Sequence, residues 1–308
     1  MKFTTKQIVL VILVVVLVRL IIISRKEGFS QVSDKKVCVI LFGFAPRSFK
    51  YVHKTIKSRI IDVLRKKFSK VSVYHYSLLS KKGLIESNRR AENGMPINND
   101  DVKLLPADKM VTEYQEDIDI QDYVDKSCGR NENHKINPLR QFYQESMLQK
   151  VFPVDDYDAC VAVTSDSYCL KDVNIQHVLD VCDNDNIIYT TTYNKYGGLA
   201  NGFYICSPYA FKKVTNRINY YKERCKILNG GVENPEAFLK YSVERDGLKN
   251  KDTDFFYLKI RAHKKNTSYI TLMEENGISK KTADEMRAMF GLRDNQIIMK
   301  DFVYSPIF

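Results

Sequence analysis

The sequence predicts an α/β domain on a mostly parallel sheet, set behind one N-terminal apolar helix. Three observations predict it. Residues 8–23 are apolar except Arg19. Val37–Gly43 is a continuous apolar run, as in a strand covered on both faces. The chain then alternates strand-like runs with helical periodicity, the pattern of βαβ units.

The N-terminal run is short for a membrane span. As a helix, its residues cover roughly 24 Å against about 30 Å of hydrocarbon. Phe3, and snorkelling by Lys6, Arg19 and Arg25, can close the gap. The run has no polar face, which suits lipid better than a domain surface. Two other readings stay open: a cleaved signal peptide with Lys2 and Lys6 as its n-region, and a buried core helix. Basic residues flank the run on both sides (Lys2 and Lys6 before, Arg25, Lys26, Lys35 and Lys36 after), so orientation is not fixed. The expected organisation is an anchor and polar linker over 1–35 and one α/β domain over 36–308. The localisation expected is a single-pass protein of a host or virion membrane.

The net charge is +11. Much of it lies in residues 1–36, and no long basic run follows. Arg65-Lys66-Lys67 and His263-Lys264-Lys265 are short and read as solvated faces. No specific nucleic-acid partner is expected. The seven cysteines form no CxxC pair and no metal-ligand spacing. Cys38, Cys160 and Cys206 fall inside apolar strands as small core residues, which points to a reducing or mixed environment. Asn266-Thr267-Ser268 is a glycosylation sequon that matters only in a lumenal domain.

From Val37 the elements follow in order. Phe49–Phe68 reads as a helix with Val52, Ile56, Ile60, Leu64 and Phe68 on one face. Val71–Ser77 is a second strand. Residues 80–135 are polar and irregular, a long insertion with small elements inside it. Asn137-Pro138 is expected to cap a helix running to Lys150, which puts Arg140 in its first turn. Ala159–Thr164 is a third strand, Asp172–Val181 a helix, and Ile187–Tyr193 and Gly202–Cys206 two more strands. Ser207-Pro208 caps a helix over which Phe211, Val214, Ile218, Tyr221, Cys225 and Leu228 share a face; Asn229-Gly230-Gly231 ends it. Asn234-Pro235 starts another, ended by Gly247. Thr253–Ala262 reads as a strand, and Lys280–Phe290 as an amphipathic helix.

In open α/β sheets, ligands bind beyond the carboxyl ends of the strands. Five places qualify. Gly43 lets the backbone approach a ligand, and Arg47 can pair with phosphate; a plain βα turn fits the same residues. Arg140 at a helix N-terminus opposes the dipole, which suits a bound diphosphate or a nearby carboxylate equally. Asp166 ends a buried strand and can hold a divalent metal or make a turn. Over Tyr196–Tyr204, two turns containing Gly197-Gly198 and Gly202 bracket a short strand, which suits a flexible loop over a pocket or a plain connection equally. Tyr257, Lys259, Arg261 and His263 share one strand face, where cations can neutralise a leaving diphosphate or blunt a sheet edge. There is no Walker A pattern and no GxGxxG.

The order of Gly43-Phe44-Ala45-Pro46-Arg47, Val73-Tyr74-His75-Tyr76-Ser77, Arg140-Gln141, Tyr157-Asp158-Ala159, Ser165-Asp166 and Asn201-Gly202-Phe203-Tyr204-Ile205 resembles GT-A-type glycosyltransferase-like proteins of the poorly characterised group in giant DNA viruses. The resemblance covers residues 36–263. It implies a GT-A-like (Rossmann-like) mixed, mostly parallel sheet flanked by helices. It also implies a nucleotide-sugar donor and transfer of the sugar to an unidentified hydroxyl acceptor. Gly43, Arg47, Arg140, Asp166 and Arg261 would bind the donor. Asp166 would stand at the family's metal-binding Asp-x-Asp, with manganese or magnesium as cofactor. Asp166 and Asn201 are the catalytic candidates. Two departures stand out: Ser165-Asp166-Ser167 holds one carboxylate rather than two, and Asn201 cannot serve as a base. His75, Asp158 and Glu236 are the possible substitutes. A catalytically inactive domain, acting as a membrane-bound binding or virion-structural module, is the other reading.

Overall fold

Alternation along the first strand explains the layers. Val37, Val39 and Leu41 face one core, while Cys38, Ile40 and Phe42 face another, and all six are fully buried. A strand buried on both sides must lie in the middle of a sheet between two helical layers. The computed structural model has that arrangement. It describes residues 32–86, 92–120, 123, 132–193, 195–228, 234–260, 262, 281 and 284, with only the backbone at 132–137. The apolar run 8–23, Arg261, His263, the Asn229-Gly230-Gly231 stop and the sequon lie outside the described residues. The same holds for the Lys280–Phe290 helix apart from Lys281 and Asp284. Among the described residues no helix is long and apolar enough to cross a membrane.

The main sheet has seven strands: β1 (Ser33–Gly43), β2 (Phe68–Leu79), β3 (Lys109–Tyr114), β4 (Ala159–Thr164), β6 (Ile187–Thr191), β7 (Phe203–Cys206) and β8 (Lys249–Thr253). Their spatial order is β3-β2-β1-β4-β7-β6-β8. Only β7 runs antiparallel to its neighbours. Helices α1 (Phe49–Ile56) and α3 (Ile175–Asp183) pack on the Val37 face. On the Cys38 face lie α2 (Glu132–Val151), α4 (Pro208–Thr215), α5 (Tyr221–Ile227) and α6 (Pro235–Arg245). The mixed, mostly parallel sheet flanked by helices is the fold class read from the sequence.

Local differences have local causes. α1 passes into a π-helical stretch, Lys57–Ile61, before its last turn at Asp62–Arg65. The helix expected over 207–228 is three segments, with a 3-10 stretch at Asn216–Tyr220 between α4 and α5. Its N-cap is as read: Ser207 Oγ accepts from the Ala210 amide at 3.1 Å. Asn234 caps α6 in the same way, accepting from Ala237 at 2.7 Å. Helix α2 begins at Glu132, so Pro138 sits inside it and Arg140 is not in the first turn. The dipole argument for Arg140 therefore does not apply. β3 is one of the small elements expected inside the 80–135 insertion, and as an edge strand with one row of neighbours it needs little apolar patterning. The run Thr253–Ala262 is broken, because β8 pairs with β6 and the chain then departs to form β9 (Tyr257–Lys259). β9 pairs antiparallel with β5 (Ser167–Cys169) in a separate two-stranded sheet.

Among the described residues Cys38, Cys160, Cys169, Cys182 and Cys206 are free thiols, and Cys38, Cys160 and Cys206 are fully buried as read. Cys225, by contrast, is disulfide-bonded, which a wholly reducing compartment does not favour.

The loop before β7 is held by glycine. A Cβ on Gly198 would lie 2.0 Å from the Glu236 carbonyl oxygen, and Leu199 donates to that same oxygen at 3.0 Å. The loop is thus packed onto the start of α6 and is not a free cover. Gly198→Ala is expected to cost about 2 kcal/mol or more, because the obstacle is backbone. Urea denaturation of the variant against wild type measures it; an unchanged midpoint would contradict the packing.

Candidate functional site

β1 connects onward to β2 and β3 on one side, while β4 lies on its other side. Loops leaving the carboxyl ends of β1 and β4 therefore diverge, and a crevice opens between them. A cleft of about 310 Å³ occupies that position. Gly43, Arg47, Arg140 and Asp166, four of the residues singled out from the sequence, all line it. Lys259, Ser165, Gln115, Gln141, Gln144 and Glu86 line it as well.

The walls are fixed from several directions. Ser165 donates its amide to the Phe42 carbonyl at 2.8 Å, continuing the β1–β4 contact past the strand ends. Gly43 has φ +124°, and a Cβ there would approach Ser165 Oγ to 3.0 Å, so a side chain is excluded on two counts. The chain then makes a 3-10 turn, Ala45–Arg47, which sets the Arg47 guanidinium 5.7 Å from the Phe44 ring centroid. On the opposite wall, Gln144 Nε2 donates to Tyr76 O at 2.8 Å and to Gly43 O at 3.4 Å. This amide clamps α2 to the ends of β1 and β2.

Arg140 projects from the same helix. It is half-buried, and no hydrogen bond reaches its buried Nε. Burial lowers its pKa, while the Glu116 and Glu86 carboxylates oppose the shift. An arginine stays charged through such a shift, so the cleft holds a partly desolvated cation. Ser165 Oγ and Gln115 Nε2 are also buried there without a hydrogen-bond partner. Buried polar atoms of this kind normally find partners, and three in one cleft mark a place where a ligand can supply acceptors.

The β5–β9 sheet brings in the third cation. Lys259 pairs across from Ser167, and the Ile260 amide donates to Asp166 O at 2.9 Å. Lys259 thereby sits at the cleft beside Asp166 and does not serve to blunt an edge. Its Nζ donates to Asn201 Oδ1 at 3.4 Å. Asn201 is nearly buried and stands behind the lysine, not on the lining. Gly202 leaves room for Tyr257, whose Oη would lie 2.2 Å from a Cβ.

The three substitute bases separate clearly. Asp158 accepts from the Lys36 amide at 2.7 Å, at the amino end of the sheet and away from the cleft. His75 is fully buried against Phe49, with ring centroids 4.9 Å apart, and burial lowers its pKa to about 4. It is neutral and sealed. Glu236 follows the lining residue Pro235; burial raises its pKa, against Lys259 and then Arg217. Of the three, Glu236 is the one beside the cleft.

Sequence reading missed the support beneath the cleft. Arg217 and Glu145 form a bidentate pair at 2.8 and 2.7 Å, both with no solvent exposure. Arg217 also donates to Pro235 O at 3.2 Å and lies over the Phe142 ring at 4.6 Å. Gln141 donates to Glu145 at 2.9 Å, so the pair orients a lining residue directly. No local pattern signals it, since the partners lie 72 residues apart.

Among the described residues, no group of three or more His, Cys, Asp or Glu could hold a metal ion. A cation bridging a diphosphate needs less, one or two carboxylates with phosphate oxygens and water completing its shell. Asp166 fits that lesser role.

Two outcomes follow from these burials. Arg217→Met is expected to lower stability by about 3–5 kcal/mol, and the Glu145→Leu/Arg217→Met pair to recover part of the loss, as read by urea denaturation. His75 binds its proton in the unfolded chain below about pH 6.5 and in the folded chain only near pH 4. Stability is therefore full above the unfolded value and lost as pH falls through that window. Between pH 7 and 5 wild type is expected to lose about 2 kcal/mol more than His75→Leu, measured by chemical denaturation at both values.

No protein-family model matches this chain, and no curated protein matches it.

Proposed function

We propose that the chain is a membrane-anchored glycosyltransferase of GT-A type, which transfers a sugar from a nucleoside diphosphate to a hydroxyl acceptor. The observation that carries the reading is the convergence of Arg47, Arg140 and Lys259 with Asp166 at the switch point of the sheet. A mostly parallel α/β sheet with its cleft at the carboxyl ends agrees with what the sequence resemblance implies.

The chemistry follows from charge. In the transfer, the bond between the anomeric carbon and the phosphate oxygen breaks, and the acceptor oxygen bonds to that carbon. Negative charge grows on the departing diphosphate. Arg47 and Arg140, held partly out of water, stabilise that charge more than a solvated cation would. Lys259 adds to them from β9. A divalent cation held by Asp166 would supply further neutralisation of the diphosphate. The acceptor's proton needs a base. Asn201 has none to offer, and Glu236 takes that role, its basicity raised by burial. Residues 8–23, read as the anchor, would hold the domain near membrane-borne acceptors.

A second reading has a specific observation behind it. Asn201 is an amide held by Lys259, and the cleft has one metal-competent carboxylate at the end of β4. A domain that binds a nucleotide sugar without turning it over has these features too.

The readings part on two measurements with full-length protein in detergent. A nucleoside diphosphate at about a hundredfold its Kd is expected to stabilise the fold by about 2.7 kcal/mol. The thermal shift should appear in a panel of diphosphates with manganese and vanish in Arg140→Ala and Asp166→Ala. Absence of any shift across the panel would falsify the donor site. With binding established, Glu236→Gln is expected to lower sugar transfer by roughly a hundredfold or more without abolishing the shift. Binding with no turnover in wild type selects the inactive domain.

A further inference from the structure

The molecule has a second concavity, at the opposite end of the sheet from the cleft. It is a shallow hollow of about 520 Å³ beside the middle of β2, where β3 begins and α2 ends. Its floor is aromatic: Tyr74 and Phe152 stack with ring centroids 4.9 Å apart. Its rim is basic. Lys109 opens β3 and Lys150 closes α2, both exposed. Lys70, exposed at the start of β2, lies 5.5 Å over the Tyr157 ring, whose hydroxyl meets that of Tyr74 at 2.6 Å. Arg65 and Lys66 are exposed at the adjoining end of the α1 segment.

Carboxylates cancel only part of this charge. Asp108, on the same rim, accepts from the Val73 amide at 2.7 Å. Asp155 and Asp156 follow the hollow's Pro153, both exposed, and Asp155 pairs with Lys212 at 2.6 Å; Asp183 and Asp185 lie by the start of β6. The end is thus polarised, positive around β2 and β3.

We propose that this hollow and its lysine rim dock on anionic phospholipid headgroups of the membrane that residues 8–23 enter. The inference rests on the anchor reading given above, and not on nucleotide binding in the cleft. Chain direction supports it. β1 starts at Ser33, so the segment leading from residue 23 enters the domain at this same end. Even fully extended, residues 24–32 span only about 30 Å, which keeps this end near the headgroups. A lysine or arginine beside an anionic leaflet gains roughly fivefold in affinity, and the gain dies within a Debye length. An open, aromatic-floored hollow with cations around it suits a headgroup phosphate with its glycerol and chain ends. Among the described residues that line it there is no enclosed set of donors, as a small soluble anion would need.

The geometry then sets the orientation. With the amino ends of the strands against the leaflet, the cleft at the carboxyl ends faces away from the anchoring membrane.

Amine labelling of the full-length chain in lipid nanodiscs, read site by site by mass spectrometry, tests the docking. Changing neutral phosphatidylcholine discs to about 30 % phosphatidylserine is expected to lower labelling of Lys70, Lys109 and Lys150 roughly threefold or more. Salt at about 0.5 M should restore it. Lys82, beyond the carboxyl end of β2, should not respond. Equal labelling in both lipids overturns the proposal. So does protection by about 10 mM inorganic phosphate in neutral discs with no phosphatidylserine effect, which would assign the hollow to a soluble anion. A chain that fails to enter neutral discs loses its anchor, and this proposal with it; the diphosphate shift reports on the cleft separately.

Discussion

Glu145 and Arg217 meet with no water between them, and the helical layer over the cleft depends on that meeting. Burying two charges is expensive, and attraction alone repays the cost only when every donor and acceptor is used. Here the guanidinium satisfies both carboxylate oxygens, the Pro235 carbonyl and the Phe142 face. Three separate pieces of chain are thereby locked together: α2, the 3-10 stretch after α4, and the start of α6. Each carries something the cleft uses. α2 bears Arg140, Gln141 and Gln144, and α6 begins with Pro235 and Glu236. Neither partner can be lost without leaving a bare charge in the core, so the pair specifies one packing of these helices.

The cleft draws its character from the contrast between this fixed base and its own unsatisfied edge. Gln144 spends its amide on the ends of β1 and β2. Arg140 Nε, Ser165 Oγ and Gln115 Nε2 have no such duty. A preorganised set of donors held by a rigid support is what electrostatic stabilisation of a growing negative charge requires.

Much of this was legible in the sequence, and the remainder was hidden for definite reasons. β1 and β4 announce themselves because a strand covered on both faces must be apolar throughout. Ser207 and Asn234 announce helix starts because their capping is local. Gly43, Arg47 and Asp166 could be picked out because carboxyl ends of strands are where ligands bind, whereas Arg140 was singled out for a helix start that lies elsewhere. What was hidden is nonlocal. The reversal of β7, the departure of β9 and the partnership of Arg217 with Glu145 depend on chain segments far away in sequence. Pro138 misled because a proline after asparagine resembles a helix start, and neighbouring turns carried the helix back to Glu132. Lys259 was visible as a cation on a strand, but only its register opposite Ser167 separates a cleft residue from an edge guard.

The single reversed strand has a consequence for how such a domain can diversify. β6 and β7 are sheet neighbours of opposite sense, so the loop joining them leaves and re-enters the sheet at the cleft end. Its outermost turn, Tyr196-Gly197, is exposed with φ of 39° and 80°, and the Tyr196 carbonyl accepts from Asn234 Nδ2 at 2.8 Å. Both feet are already tied down, the later one by Gly198 on α6 and by Gly202 under Tyr257. Lengthening a loop between fixed feet costs only about 0.6 kcal/mol per doubling. The loop joining β6 and β7 is thus a place where chain length can change while the floor of the cleft stays as it is.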